Sequence, residues 1–282
     1  MALGHFINAG DIMPIFLNNK LVESFNFPGG ECQVKVNSKD IGIYSKIKAY
    51  LYNSDDIMRL LLTVYAVRDI ESESYIYLTI PYFPYARQDR ICNEGEALSV
   101  KVMTNLINSL ECSKVTIYDP HSDVAPALLN NCEVISAAEI IAKSPLAHFI
   151  CENNLTLLSP DAGAEKKVLQ VAKQLQLTEV IHATKARDTA TGKITSCRVY
   201  GDVGGMNLII LDDICDGGQT FVELAKHLKA QGAKAIYLYI THGIFSKGLS
   251  VLKQHFEHVY CYHTMLKAAE IDRDFLTILE DK

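Results

Sequence analysis

The sequence predicts an α/β protein of two domains, each a mostly parallel sheet flanked by helices. Three observations predict this. Short apolar runs that read as buried strands alternate with amphipathic runs at helical period along the 282 residues. Several strands end in charged clusters followed by proline or glycine, where open parallel sheets bind their ligands. The pattern occurs as two loosely similar series meeting near Ser144-Pro145, which sets domains at residues 1–144 and 145–282.

In the first series, Phe25 to Val36 holds a Pro-Gly-Gly turn and then an alternating strand. Ser54-Asp-Asp opens a helix, with Ser54 as its cap and acids in the first turn. Ile57, Leu60, Leu61, Val64 and Val67 share roughly one face of that helix. Tyr75 to Ile80 is a strand leading into a proline-braced turn that carries Arg87-Gln-Asp-Arg90. Leu98 to Leu110 is a helix. Lys114 to Tyr118 is a strand ending in Asp119-Pro-His-Ser-Asp123.

In the second series, Leu155 to Leu158 is a strand ending in Ser159-Pro-Asp-Ala-Gly163, and a helix follows. Glu179 to Ala183 is extended and leads into Lys185-Ala-Arg-Asp188. The stretch from Asp188 to Ser196 reads as a mobile flap, and polar sequence continues to Gly205. Leu208 to Leu211 is a buried strand that ends in Asp212 and Asp213. Asp216, Gly217, Gly218, Gln219 and Thr220 follow, then a helix that Gly232 stops. Lys234 to Ile240 is a strand, Lys247 to Phe256 a helix and His258 to Tyr262 a strand.

Bulk properties narrow the function. The 49% apolar and 21% charged composition is that of a soluble globular protein. The net charge of −6 argues against a general nucleic-acid binder. No apolar run approaches the ~18 residues of a membrane span. No export signal is read at the N-terminus, so a cytoplasmic protein is expected. The eight cysteines are scattered without a C-x-x-C pair. They read as small buried hydrophobes, not as a disulfide framework or zinc site.

The strand ends carry the chemistry. Glycines at a strand-to-helix turn free backbone N–H groups to cradle a phosphate, while Asp212, Asp213 and Asp216 suit sugar hydroxyls or a hydrated metal. Arg87 suits polyphosphate oxygens through its bidentate fork. His121 and Asp161 suit a hydrated Mg²⁺. Lys185 and Arg187 alternate along an extended segment, as cations neutralising a phosphoryl-transfer transition state would. Phe27 and Glu31 offer a purine a stacking face and a carboxylate acceptor.

Taken together, Ile80-Pro-Tyr-Phe-Pro-Tyr-Ala-Arg-Gln-Asp-Arg90, Asp119-Pro-His121, Ser159-Pro-Asp-Ala-Gly163, Lys185-Ala-Arg187, Asp212-Asp-Ile-Cys-Asp216 and Thr241-His-Gly-Ile-Phe-Ser246 resemble the ribose-phosphate pyrophosphokinases. The resemblance runs from about Phe27 to Ser246. It implies two phosphoribosyltransferase-like domains and a reaction in which the ribose C1 hydroxyl takes the β,γ-diphosphoryl group of Mg-ATP and AMP leaves. By position it implies that Arg87, Gln88 and Asp89 hold ATP, and that His121 and Asp161 bind magnesium, His121 also on the ATP side. Lys185 and Arg187 would be catalytic. Asp212, Asp213 and Asp216 would hold the ribose hydroxyls, and Gly217, Gly218, Gln219 and Thr220 its 5-phosphate. Phe27 and Glu31 would reach the adenine of a neighbouring subunit, implying a homo-oligomer, dimer or hexamer.

The sequence also departs from the family. The phosphate loop usually begins with Thr and reads roughly Thr-small-Gly-Thr; here it reads Gly-Gly-Gln-Thr. One hydroxyl donor is lost, worth about 0.5–1.5 kcal/mol. An acceptor whose 5-phosphate is esterified, such as ADP-ribose, asks less of the loop than a free phosphate dianion. Gly29 replaces a usual Asp or Asn, and Glu96 stands where many members carry Arg. The family's first helix is expected to be missing and its last one shortened. Two other readings are a phosphoribosyltransferase using a pyrophosphorylated ribose as donor, and a non-catalytic regulatory associate of a synthetase.

Overall fold

The computed structural model describes residues 14–187 and 194–280, with the backbone alone for 185–187 and 194–197. The chain divides into two units between Ile135 and Ser136. Ser144, at the expected domain junction, caps a helix of the second unit.

Unit 1 contains, in order, β1 (Ile15–Leu17), β2 (Lys20–Leu21), β3 (Glu23–Asn26), β4 (Cys32–Lys35), β5 (Tyr44–Ala49), α1 (Ser54–Ile70), β6 (Tyr75–Ile80), α2 (Ser99–Asn108), β7 (Lys114–Tyr118), α3 (Val124–Leu128) and β8 (Cys132–Ile135). Its sheet has the order β2-β1-β5-β6-β7-β8. The run from β5 to β8 is parallel, and β1 and β2 form an antiparallel margin. They are joined through Asn18 and Asn19, both in the left-handed region that a tight hairpin turn demands. β3 and β4 form a separate hairpin.

The helix at 54 is capped by Asn53, not by Ser54. The Asn53 side chain accepts from the Asp56 amide, and Asp56 accepts in return from the Asn53 amide. Leu60, Val64 and Val67 are buried as the periodicity demands, but so are Asp56 and Arg59. Arg59 pairs with Asp56 at 3.2 Å and donates to the Asn26 side chain at 2.7 Å. The second bond ties the β3–β4 hairpin to α1.

Unit 2 contains α4 (Ala137–Ala142), α5 (Pro145–Glu152), β9 (Thr156–Ser159), α6 (Ala162–Gln174), β10 (Val180–Arg187), β11 (Ile194–Tyr200), β12 (Asn207–Cys215), α7 (Gln219–Ala230), β13 (Ala235–Gly243), α8 (Ser250–Lys253), β14 (His258–Thr264) and β15 (Leu276–Ile278). The sheet order is β11-β10-β9-β12-β13-β14-β15, parallel apart from the β10–β11 pair. Two expectations are corrected. Part of the polar stretch before Gly205 is β11, an edge strand whose pairing with β10 needs no apolar face. The helix expected over Lys247 to Phe256 is the single turn of α8. Gly248 adopts φ +70° and donates to the Phe245 carbonyl, so the chain makes a turn there first. Among the described residues no helix is long and apolar enough to cross a membrane.

Candidate active site

In unit 2, β9 and β12 run side by side with Leu158 opposite Ile210. Their carboxyl ends therefore bring Asp161 towards Asp212 and Asp213. Asp161 starts α6: its Oδ1 accepts from the amides of Gly163 at 2.9 Å and Ala164 at 3.1 Å. Asp213 is buried, with the Lys167 ammonium 3.6 Å away. The Asp212 carboxylate accepts from the Asp213 amide at 2.9 Å. Burial, and then repulsion from Asp213 and Asp161, pushes the Asp212 carboxyl well above the usual carboxylate range.

β12 continues through the acids to Cys215, whose thiol is pushed up to about 12 by burial and by Asp212 and Asp216. Cys112 is pushed up to about 11 by burial. Both thiols are inert fillers, as expected of buried cysteines, whereas Cys92 and Cys151 are exposed.

Gly218 caps α7 at φ +76°, and a Cβ there would stand 3.1 Å from Leu252. Only glycine suits both conditions. α7 thus begins without a side-chain cap, the arrangement that suits an anion. The Gln219 carboxamide donates to Glu223 at 2.9 Å, along its own helix.

The segment after β13 is stitched to this turn. The amides of Ile244 and Phe245 donate to the Cys215 carbonyl, and the Ser246 hydroxyl donates to Asp216 at 2.6 Å. Phe245 is buried at φ +49°, and its ring occupies the space over Gly243, where a Cβ would lie 2.1 Å away. Lys247 follows. Its Cδ and Cε lie 3.5 Å from the position a Gly217 Cβ would take, so the lysine stem passes over the start of the phosphate loop.

In unit 1, β6 and β7 are parallel neighbours, so their following loops share one end of the sheet. Phe83 and Ala86 are buried, and Tyr85 adopts φ +61°. Arg87 and Gln88 are exposed beyond them. The Arg90 guanidinium lies 3.2 Å from Asp89. Burial raises the Asp89 carboxyl, but the Ser122 hydroxyl, Arg90 and His121 outweigh it and hold the group below its usual value. The two predicted ATP residues Asp89 and His121 are therefore electrostatic neighbours.

On the hairpin, Phe27 is half exposed and packs edge-on against Phe25 at 5.2 Å. The Glu31 carboxylate lies over Gly29, 2.6 Å from the position of a Cβ. Glu96 accepts from the amides of Cys92 and Asn93 and from the Asn93 side chain, which together hold its carboxyl low.

Lys185 and Arg187 belong by backbone to β10, whose register against β11 shifts between Ala186 and Arg187. Their side chains, and most of the expected flap, lie outside the described residues. Among the described residues no three His, Cys, Asp or Glu side chains form a metal cluster.

Residues 17–110 match the family model described as the N-terminal domain of ribose phosphate pyrophosphokinase. Residues 179–257 match that of the phosphoribosyl synthetase-associated domain. A ribose-phosphate pyrophosphokinase of Thermococcus kodakarensis is 33% identical over 232 residues, covering 80% of this chain and 79% of the relative. The chain belongs to the ribose-phosphate pyrophosphokinase family.

Another ribose-phosphate pyrophosphokinase, from Agrobacterium fabrum, is 34% identical over 196 residues; the match takes in 69% of this chain and spans 62% of that relative's length. A solved phosphoribosylpyrophosphate synthetase from Mycobacterium smegmatis shares the fold, with a TM-score of 0.78 over 92% of this chain and 85% of that one, at 21% identity. Within this family's α/β frame, Asp161, Asp212 and Asp213 gather in unit 2, and Asp89 and His121 gather in unit 1. Sequence reasoning missed Lys167 and Lys247. Lys167 sits in the second turn of α6, and the sequence places Lys247 in a helix. The one available signal for Lys247 was its place directly after the Thr241–Ser246 motif.

Proposed function

We propose that the chain is an ATP-dependent diphosphokinase. It transfers the β,γ-diphosphoryl group of Mg-ATP to the C1 hydroxyl of a ribose 5-phosphate moiety and releases AMP. The observation that carries this reading is the crowding of Asp161, Asp212 and Asp213 beside the uncapped start of α7. Hydroxyl-accepting carboxylates next to an anion-receiving helix end suit a phosphorylated sugar. Asp212, Asp213 and Asp216 hold the ribose hydroxyls, and the turn from Gly217 to Thr220 receives the 5-phosphate. Arg87, Gln88 and Asp89 hold ATP, with Phe27 and Glu31 reaching the adenine held by a neighbouring copy. Lys185 and Arg187 neutralise charge on the transferring group.

The carboxylates of Asp161, Asp212 and Asp213 are the hard oxygen donors that a divalent cation such as Mg²⁺ takes, although no three of the described side chains form a ready-made cluster. His121 and Asp161 would hold Mg²⁺, which supplies positive charge to the ATP phosphates.

The acceptor is ribose 5-phosphate, giving phosphoribosyl pyrophosphate, or a 5-phosphate ester, with ADP-ribose giving its 1-pyrophosphate. The lost hydroxyl at Gly217 favours the ester. The product would feed nucleotide synthesis or, from ADP-ribose, NAD synthesis. The test offers each acceptor separately with Mg-ATP and follows AMP release and product mass. Turnover on ribose 5-phosphate alone would sink the esterified acceptor. AMP from neither would favour a non-catalytic associate, a reading that the phosphoribosyl synthetase-associated domain match supports.

A further inference from the structure

We propose that Lys247 is a specificity-determining residue of the acceptor site, reaching through the gap left by Gly217 to bind a second phosphate beyond the 5-phosphate. The assignment rests on the esterified-acceptor reading and names the group that recognises the ester.

Position is the first support. Hydrogen bonds from Ile244, Phe245 and Ser246 to Cys215 and Asp216 fix the segment carrying Lys247 against the loop. The Phe245–Gly248 turn then sends the Lys247 stem across Gly217, with Cδ and Cε at van der Waals distance from its missing side chain. The second support is what glycine does at 217. Unlike Gly218, Gly217 does not have a φ in the left-handed region. The backbone would therefore accept a side chain there. A Cβ there would touch the lysine stem at ordinary contact distance, so it is the atoms beyond Cβ of a larger side chain that would compete with Lys247 for the space.

Charge is the third support. Lys247 is exposed and makes no ion pair among the described residues. The start of α7 offers backbone amides to one phosphate. A flexible ammonium whose stem crosses Gly217 adds a full positive charge, suited to a phosphate as a point-charge partner. A monophosphate is served by the helix end; a diphosphate linkage presents a second anionic group for the lysine.

The experiment compares the wild type, Lys247→Ala, Lys247→Arg and Gly217→Thr. Dissociation constants are measured by titration with ADP-ribose and with ribose 5-phosphate, alongside kcat/KM for AMP release. Lys247→Ala is expected to lower the preference for ADP-ribose over ribose 5-phosphate about tenfold, mainly through KM, and Lys247→Arg to restore most of it. Gly217→Thr displaces the stem and lowers the same preference, and adding it to Lys247→Ala has little further effect. A merely structural lysine would weaken both acceptors alike. An unchanged preference in Lys247→Ala, with wild-type binding of ADP-ribose intact, overturns the role of Lys247 and leaves the acceptor reading standing. A wild type that binds and turns over ribose 5-phosphate alone overturns the acceptor reading, and the second-phosphate role with it.

Discussion

Asp89 lies in the loop that follows β6 and Asp212 lies towards the carboxyl end of β12, and the two shift in opposite directions. Burial raises both. In unit 1, Ser122, Arg90 and His121 more than offset it, so Asp89 is stabilised as a carboxylate. In unit 2, Asp213 and Asp161 add to it, and Asp212 is held well above its usual range. Unit 1 satisfies its acid internally before any ligand arrives. Unit 2 concentrates acids that a cation or the hydroxyl groups of a sugar would relieve. Unit 2 sets Asp212 beside two other acids, with Lys167 against Asp213, whereas unit 1 sets Asp89 beside Ser122, Arg90 and His121.

The largest expected effect separates the two regions by function. If ATP is held by unit 1 residues and Lys185 acts on the transferring group, Lys185→Ala lowers kcat by roughly 10²–10³ with the ATP dissociation constant little changed. Rapid-quench AMP release with equilibrium ATP titration measures both. Intact turnover would remove Lys185 from the mechanism.

Next comes the buried pair of unit 1. Arg59→Ala takes a charge partner from buried Asp56 and releases Asn26, so urea unfolding should show a loss of about 3–5 kcal/mol. A shift of under about 1 kcal/mol would mean that this pair is solvated and does not anchor the hairpin.

The comparison itself is tested by neutralising the two acids. With no ligand present, Asp212→Asn removes repulsion and should raise Tm, whereas Asp89→Asn removes attraction and should lower it. The same Asp212→Asn change should weaken acceptor binding. Shifts of one sign in thermal melts would break the contrast.

The smallest effect is chemical. At pH 8 a thiol reagent should modify the exposed Cys92 and Cys151 and spare Cys112 and Cys215 until the chain unfolds.

Much of this fold was legible in the sequence because its signals are local. Tyr75–Ile80 and Lys114–Tyr118 are strands with the boundaries that the apolar runs indicate. The acids and glycines of 212–218 lie on a strand-to-helix turn as their order implies. The misses have local causes too. Asn53 took the cap from Ser54 because only Asn53 leads the Asp56 box, and Gly248 replaced most of a helix with a turn.

The sequence by itself determined the alternation of strands and helices, the residue types at each strand end and the family they resemble. These depend on side-chain period, turn chemistry and motif order, all written along the chain. Only the tertiary structure decided that β9 lies beside β12, which sets Asp161 among the acids of the loop and raises Asp212. It also decided that Arg59 is buried with a hydrogen bond to Asn26, and that Lys247 crosses Gly217. Strand order and loop stitching join residues far apart in the chain. The energies that settle them, burial and charge proximity across the sheet, exist only once the chain has folded.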